Sequence, residues 1–238
     1  MNFLDKFILH LINGFAGQWP AADKAIAFLS NYHLLKGGVI VALIWWAWFS
    51  PAGIEARNRA HVMATLMGCL VAVLVGRAMP HFLPLRLRPL HDPQADIGLA
   101  YGMSRAVLDG ASSFPSDHAV LFFSLSVGLL FVSRAVGLFA IGYTTLFIAL
   151  PRLYLGLHYP TDILAGGLLG GLIAGLFNRY VASSIAVVSV TRYSSANPQI
   201  FYPLFFLVSY QIAELFEGVR ALILPALRVM KIVFTVGG

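Results

Sequence analysis

The sequence predicts an all-α fold: a polytopic transmembrane bundle of about six helices with an amphipathic N-terminal segment lying in the membrane interface. Two observations carry this expectation. Of the 238 residues, 59% are hydrophobic and only 11% charged, and the mean hydropathy is +0.81, too apolar for a soluble domain of this size. Apolar stretches close to the roughly 18-residue length of a spanning helix recur along the chain, without the alternation that a transmembrane β-barrel requires. No long repeat, low-complexity tract or composition break divides the sequence, so residues 1–238 read as one membrane-embedded domain.

The elements follow in order. From Phe3 to Ala16 the apolar residues Phe3, Leu4, Phe7, Ile8, Leu11, Ile12 and Phe15 recur at helical spacing, while Asp5, Lys6, His10 and Asn13 take other faces. This pattern predicts a helix in the interface and does not fit a signal peptide. A short amphipathic piece, Ala21 to Leu29, follows Pro20. Spans are expected over Leu34 to Phe49, Ala60 to Leu83, Ser116 to Val132, Val136 to Leu150 and Thr161 to Phe177. Trp45, Trp46 and Trp48 sit where an aromatic belt would lie, and Gly167, Gly171 and Gly175 form a small-residue face for close helix packing. Beyond a less apolar stretch, Ser183 to Gln199, the run Ile200 to Ile212 continues into Glu214, Glu217 and Arg220 and is expected to span.

The formal charge of +6 does not point to nucleic acid, because the basic residues lie between apolar runs and form no solvated face. Membrane lipids and their anionic headgroups are the expected partners. The single cysteine, Cys69, rules out an intramolecular disulfide. Short loops carrying Arg57, Arg59, Arg134 and Arg179 against Glu55 define one side as cytoplasmic by the positive-inside rule. The polar loops from Arg86 to Ser116 and from Arg152 to Thr161 then face the periplasm or exterior of an inner, cytoplasmic membrane.

Three polar clusters interrupt the apolar sequence, all on that second side: Arg86-Leu87-Arg88-Pro89, then Phe114-Pro115-Ser116-Asp117-His118, then Arg152 with His158 and Asp162. Each alone is explained by helix capping or snorkelling, but their convergence marks a site, since ionisable residues at membrane depth are costly. Arg88 and Arg152 offer planar forks of donors suited to phosphate oxygens. Ser116, Asp117 and His118 open a helix after Pro115 and offer N–H groups and a hydroxyl to an anion. His158 and Asp162 stand one helical turn apart if a helix begins there, so that the carboxylate can hold one imidazole nitrogen and free the other for attack. His118 can then protonate a leaving oxygen. A zinc site built from His118, His158 and Asp162 is the competing reading; the surrounding arginines favour an anion over a cation.

These motifs resemble the signature of the type 2 phosphatidic acid phosphatase (PAP2) superfamily: a basic residue before Arg-Pro, then Pro-Ser-Gly-His, then Ser-Arg followed at fixed spacing by His and Asp. Arg88-Pro89, Pro115-Ser116-Asp117-His118, and Arg152 with His158 and Asp162 match in turn, over about Arg77 to Asp162. The resemblance implies a helical membrane phosphatase needing no metal or cofactor, with a phosphohistidine on His158, His118 as acid and Asp162 as partner of His158. It further implies phosphate binding by Arg88, Arg152 and Ser116, with Asp117 in the same motif. Three departures stand out. His81 occupies the usual lysine position, leaving Arg77 or Arg86 as substitutes, Arg77 favoured. Asp117 replaces glycine, and Pro151 replaces the serine before Arg152. The stretch Asn13-Gly14-Phe15-Ala16-Gly17 resembles that of small bacterial undecaprenyl-diphosphate phosphatases, placing a polyprenyl diphosphate first among substrates. Phosphatidate, phosphatidylglycerol phosphate and lipid A phosphates are the alternatives. A lipid transporter or scramblase is the reading from another class, and it would distribute ionisable residues through several spans.

Overall fold

The computed structural model describes residues 2–51 and 53–216. Among these residues the secondary structure is entirely helical. Two short helices come first, α1 (Phe3–Asn13) and α2 (Pro20–Asn31). A π-helical turn, Leu34–Gly38, leads into α3 (Val39–Trp48). The central helices are α4 (Glu55–Ala78), α5 (Asp117–Leu130), α6 (Arg134–Tyr143), α7 (Leu150–Tyr154) and α8 (Pro160–Tyr180), with a π-helical stretch, Thr144–Ala149, joining α6 to α7. Then come α9 (Ile185–Ala196) and α10 (Pro198–Ala213).

Three helical stretches are long and apolar enough to cross a membrane: Glu55–His81, Arg134–Tyr154 and Pro160–Tyr180. A fourth crossing results if α2 and the segment Leu34–Trp48, which meet at 60°, act as one bent span. The chain is an integral membrane protein, with three to four candidate crossings among the described residues where about six were expected. The difference has plain causes. Helix α5 has only 14 residues, and α10 has 16, both under the roughly 20 that a hydrocarbon core of about 30 Å requires. The continuation of α10 through Glu217 and Arg220 lies outside the described residues.

Helices α4, α5 and α8 form the centre of the bundle. Apolar side chains gain little by leaving lipid for one another, so close backbone approach has to hold such helices together. Here α8 meets α5 through Gly166 and Gly170: an added Cβ would lie 2.8 Å from the Ser116 carbonyl oxygen at Gly166 and 2.1 Å from that of Val120 at Gly170. The contact face of α8 thus includes Gly166 and Gly170 beside the expected Gly167 and Gly171, while among the described residues nothing lies within 4 Å of an added Cβ at Gly175. Four-residue spacing fits both sets, and only burial separates them: Gly166 and Gly170 are buried, whereas Gly167 and Gly171 are half-buried beside Phe123 and Val127.

The tryptophans also depart from expectation. Trp48 is fully buried, its ring stacked on Phe201 and its indole N–H donated to the Tyr202 hydroxyl at 3.2 Å. Trp45 packs against Phe205 and donates to Ser209 Oγ at 3.0 Å. Both anchor α10 to α3, and of the three in this cluster only Trp46 turns substantially outward.

The chain ends of α4, α5, α7 and α8 bring Arg77, Asp117, Arg152 and Asp162 to one end of the bundle. Helices α1 and α2 pack over that end, against α7 and α8. Asn13 fixes this cover: its side chain donates to the carbonyls of Gly98 (3.0 Å) and Tyr154 (2.7 Å) and accepts from Gly98 N–H (2.7 Å).

Candidate active site

Two helix starts build the site. Helix α8 begins with Pro160, suited by its fixed φ to the first helical position, and Asp162 in its first turn accepts the Tyr159 N–H at 2.7 Å. Helix α5 begins after Ser116, whose N–H donates to the Asp162 carbonyl at 3.2 Å. The two N-terminal ends are thereby tied together, with their positive dipole ends in the same region.

His158 lies in the turn between α7 and α8 and is 4% exposed. Its Nδ1 faces the Ser113 carbonyl at 2.8 Å and the Asp162 carboxylate at 3.8 Å. A carbonyl only accepts, so Nδ1 carries the proton and Nε2 keeps its lone pair. Nε2 faces Arg88 Nη1 at 3.2 Å. The partner that Nδ1 bonds is therefore a main-chain oxygen. Asp162 contributes charge at a slightly greater distance, its oxygens taken by Arg86 (2.5 Å), Ser113 Oγ (2.5 Å) and Tyr159 N–H. Burial pushes the His158 pKa below the usual histidine value; Asp162 opposes that shift, and Arg88 and Arg152 reinforce it.

Arg88 is buried and its guanidinium is braced by the carbonyls of Leu157 (2.7 Å) and Ser112 (3.2 Å). Arg152, 6% exposed, acts electrostatically on both His158 and His118. Three polar atoms here are buried without a protein partner among the described residues: Arg88 Nε, Ser116 Oγ and His118 Nε2. Buried donors left unbonded cost about 1–3 kcal/mol each, so a polar ligand that reached them would offset that cost.

The remaining sequence-predicted residues are placed differently. Arg77 pairs with Asp117 at 3.2 Å and donates to the Leu215 carbonyl at 3.0 Å, so the departure at Asp117 and the proposed basic substitute answer one another. Arg86 lies between Asp162 and Asp5, at 2.5 and 2.6 Å, with its guanidinium 4.4 Å from the centre of the Tyr159 ring. His81 is exposed. Two residues near the site were not read from the sequence. Lys36, 3% exposed, lies on the π-helical turn before α3 and acts electrostatically on His118. Its signal was present: it is the one charged residue between Leu34 and Phe49. The other is Asp5, fully buried on α1.

Comparison with known proteins decides the family. Residues 58–186 match the profile of the PAP2 superfamily. The chain belongs to that superfamily. It is 26% identical to the bacitracin transport permease protein BcrC of Bacillus licheniformis, over 78% of this chain and 83% of the relative. It is 31% identical to YbjG of Escherichia coli K12, provisionally named an undecaprenyl-diphosphatase, over 73% and 80%. It is 26% identical to the undecaprenyl-diphosphatase BcrC of Bacillus subtilis, over 73% and 82%. Among solved structures, Aquifex aeolicus LpxE aligns with a TM-score of 0.50 at 22% identity, covering 76% of this chain and all of that one, and shares the fold. This PAP2 protein is therefore an enzyme, a membrane phosphatase, and its matched region contains all three polar clusters.

Proposed function

We propose that the protein hydrolyses a polyprenyl diphosphate, undecaprenyl diphosphate first, at the periplasmic or exterior face of the cytoplasmic membrane, through a phosphohistidine on His158. One observation carries the reading: a buried histidine keeps its Nε2 lone pair, 3.2 Å from Arg88 and in the field of Arg152, and Ser116, whose hydroxyl has no partner among the described residues, starts one of two helices joined at their N-termini. Such a place favours a multiply charged phosphate and the charge that develops on its transferring phosphoryl group. Two relatives named for undecaprenyl-diphosphatase activity support the substrate.

In the first step Nε2 attacks the terminal phosphorus, a P–N bond forms, and the P–O bond to the polyprenyl phosphate breaks. His118 gives its proton to the departing oxygen; the substrate's negative charges favour the protonated form of that imidazole before transfer. Arg88, Arg152 and the Ser116 hydroxyl hold the phosphoryl oxygens. In the second step water loses its proton to His118, attacks phosphorus and releases inorganic phosphate, restoring His158. Asp162 and the Ser113 carbonyl fix the imidazole and stabilise its positive charge as the phosphohistidine forms and breaks. Arg77 and Arg86, engaged with Asp117 and with Asp162, support the site's side chains in this reading.

The test is phosphate release by the purified protein from a panel of polyprenyl diphosphate, phosphatidate, phosphatidylglycerol phosphate and lipid A, in excess EDTA. Release from polyprenyl diphosphate at an undiminished rate is expected. Release only from another lipid would overturn the substrate, and zinc-reversible loss in EDTA would overturn the metal-independent chemistry. Transport without hydrolysis, the activity class in one relative's name, predicts no phosphate release; the location of Arg88, Arg152, His158 and Asp162 at one end of the bundle disfavours it.

A further inference from the structure

Helix α1 turns two very different faces. Phe3, Leu4, Phe7 and Leu11 are largely exposed, while Asp5, Leu9 and Asn13, at four-residue spacing, form a buried stripe. A buried carboxylate on a short surface helix is costly unless fully bonded. Asp5 is bonded at both oxygens: Oδ1 accepts the Thr161 N–H at 2.9 Å, and Oδ2 accepts the Thr161 hydroxyl at 2.8 Å and Arg86 Nη2 at 2.6 Å. Thr161 follows Pro160 at the start of α8, so its N–H has no partner within its own helix. Asp5 caps α8 from another helix and places a negative charge at its positive end.

The same contact reaches Asp162. Arg86 joins the two buried carboxylates, one nitrogen on each, and its Nη1 also donates to the Thr161 hydroxyl at 2.9 Å. Arg86 is 30% exposed at its side chain, whereas both carboxylates are fully buried. Without Asp5 the guanidinium has one carboxylate in place of two and an open path to solvent. Asp162 would then lose the fixed donor that orients the oxygen opposite its Ser113 and Tyr159 contacts.

We infer that Asp5 is a positioning residue for the reaction, acting through Arg86 and Thr161 on the Asp162 carboxylate, so that the N-terminal helix is a working part of the active centre. The inference rests on the proposed phosphatase chemistry at His158. It concerns turnover and not phosphate capture, because Arg88 and Ser116 are held by other contacts.

The test uses the full chain, purified, with whichever lipid phosphate the wild type hydrolyses. Asp5→Asn keeps the shape and an acceptor for the Thr161 N–H but removes the charge facing Arg86. Its kcat should fall about tenfold to a hundredfold, the range a small misplacement of catalytic groups produces, with KM within about twofold. Arg86→Gln should cause a similar loss, and the double variant should be no worse than Arg86→Gln alone, because both changes break one chain of contacts. Leu9→Ala, on the same buried stripe, separates this from simple loosening of α1. It should lower thermal stability while kcat per folded molecule stays at the wild-type level. Wild-type kcat in Asp5→Asn, additive losses in the double variant, or equal kcat losses in Leu9→Ala and Asp5→Asn would each overturn the inference while leaving the phosphatase reading standing. A wild type that releases phosphate from no lipid would overturn both.

Discussion

Helix α8 ends in two polar clusters of opposite kinds. At its start the fully buried Asp162 carboxylate is held by Arg86, Ser113 and the Tyr159 N–H, beside a histidine and two more arginines. Near its end the buried Asn178 donates to Thr65 Oγ1 and the Ala174 carbonyl, both at 2.9 Å, and its Oδ1 faces His61 Nδ1 at 3.0 Å. The second cluster joins α8 to α4 with a neutral hub whose polar atoms are all bonded. Interhelical hydrogen bonds of this kind contribute about 0.6–2 kcal/mol. The first cluster concentrates full charges and leaves Ser116 Oγ, His118 Nε2 and Arg88 Nε without a partner among the described residues. Packing explains the Asn178 end. It does not explain the Asp162 end, where charges are costly at membrane depth and the proposed chemistry supplies a reason to keep them.

Substitutions at the two ends should therefore separate turnover from stability. The largest effect is expected for His158→Ala, which should reduce phosphate release to background while the protein still purifies as a folded species. Substantial remaining release would remove His158 as the nucleophile. Next is His118→Ala, whose loss should be severe with a polyprenyl phosphate leaving group and much smaller with an aryl phosphate, whose leaving group needs little protonation. Equal losses on the two substrates would make His118 a binding group.

A pH profile sharpens the contrast further. Neutral imidazole attacks, so loss of that form should lower kcat/KM as pH drops through the His158 pKa. Because burial lowers that pKa, the acid limb should lie below about pH 6.5, the ordinary histidine value. Arg88→Gln removes a charge that lowers the pKa and should move the limb up; Asp162→Asn removes one that raises it and should move the limb down. Comparing variants on one substrate cancels the substrate's own ionisation, and shifts in the opposite sense would contradict the assigned electrostatics. The smallest effect belongs to Asn178→Ala, expected to lower unfolding stability by about 1–2 kcal/mol with specific activity unchanged. A kcat loss there larger than that of Asp162→Asn would collapse the distinction between the two ends.

Much of the Asp162 end was legible in the sequence. Arg88, Ser116, His118, Arg152, His158 and Asp162 fall in short polar clusters inside an apolar chain, and local spacing sufficed to group them. What could not be read depends on contacts between residues far apart in the chain. Asp5 meets Arg86 and Thr161 only because α1 folds back over the start of α8. Lys36 reaches the surroundings of His118 from a π-helical turn that no periodicity announces. Four-residue spacing picks out Gly167 and Gly171 on α8 but not the closer approach at Gly166 and Gly170, because spacing gives a period and not a direction. Trp45 and Trp48 read as a belt, since the residues of α10 that bond them lie 164 and 154 positions further along. The orientation across the membrane rests on charge alone and can be tested with cysteines at the exposed positions Gln94 and Glu55. An impermeant thiol reagent should label the first in intact cells and spare the second.

The most direct measurement of the central claim is rapid acid-free quench of the enzyme with polyprenyl diphosphate radiolabelled in its terminal phosphate, followed by peptide mapping. The account predicts an acid-labile, base-stable label on the peptide containing His158, formed and lost at rates compatible with turnover and missing in His158→Ala. Full turnover with no labelled protein at any time, or equal labelling of His158→Ala, would contradict it.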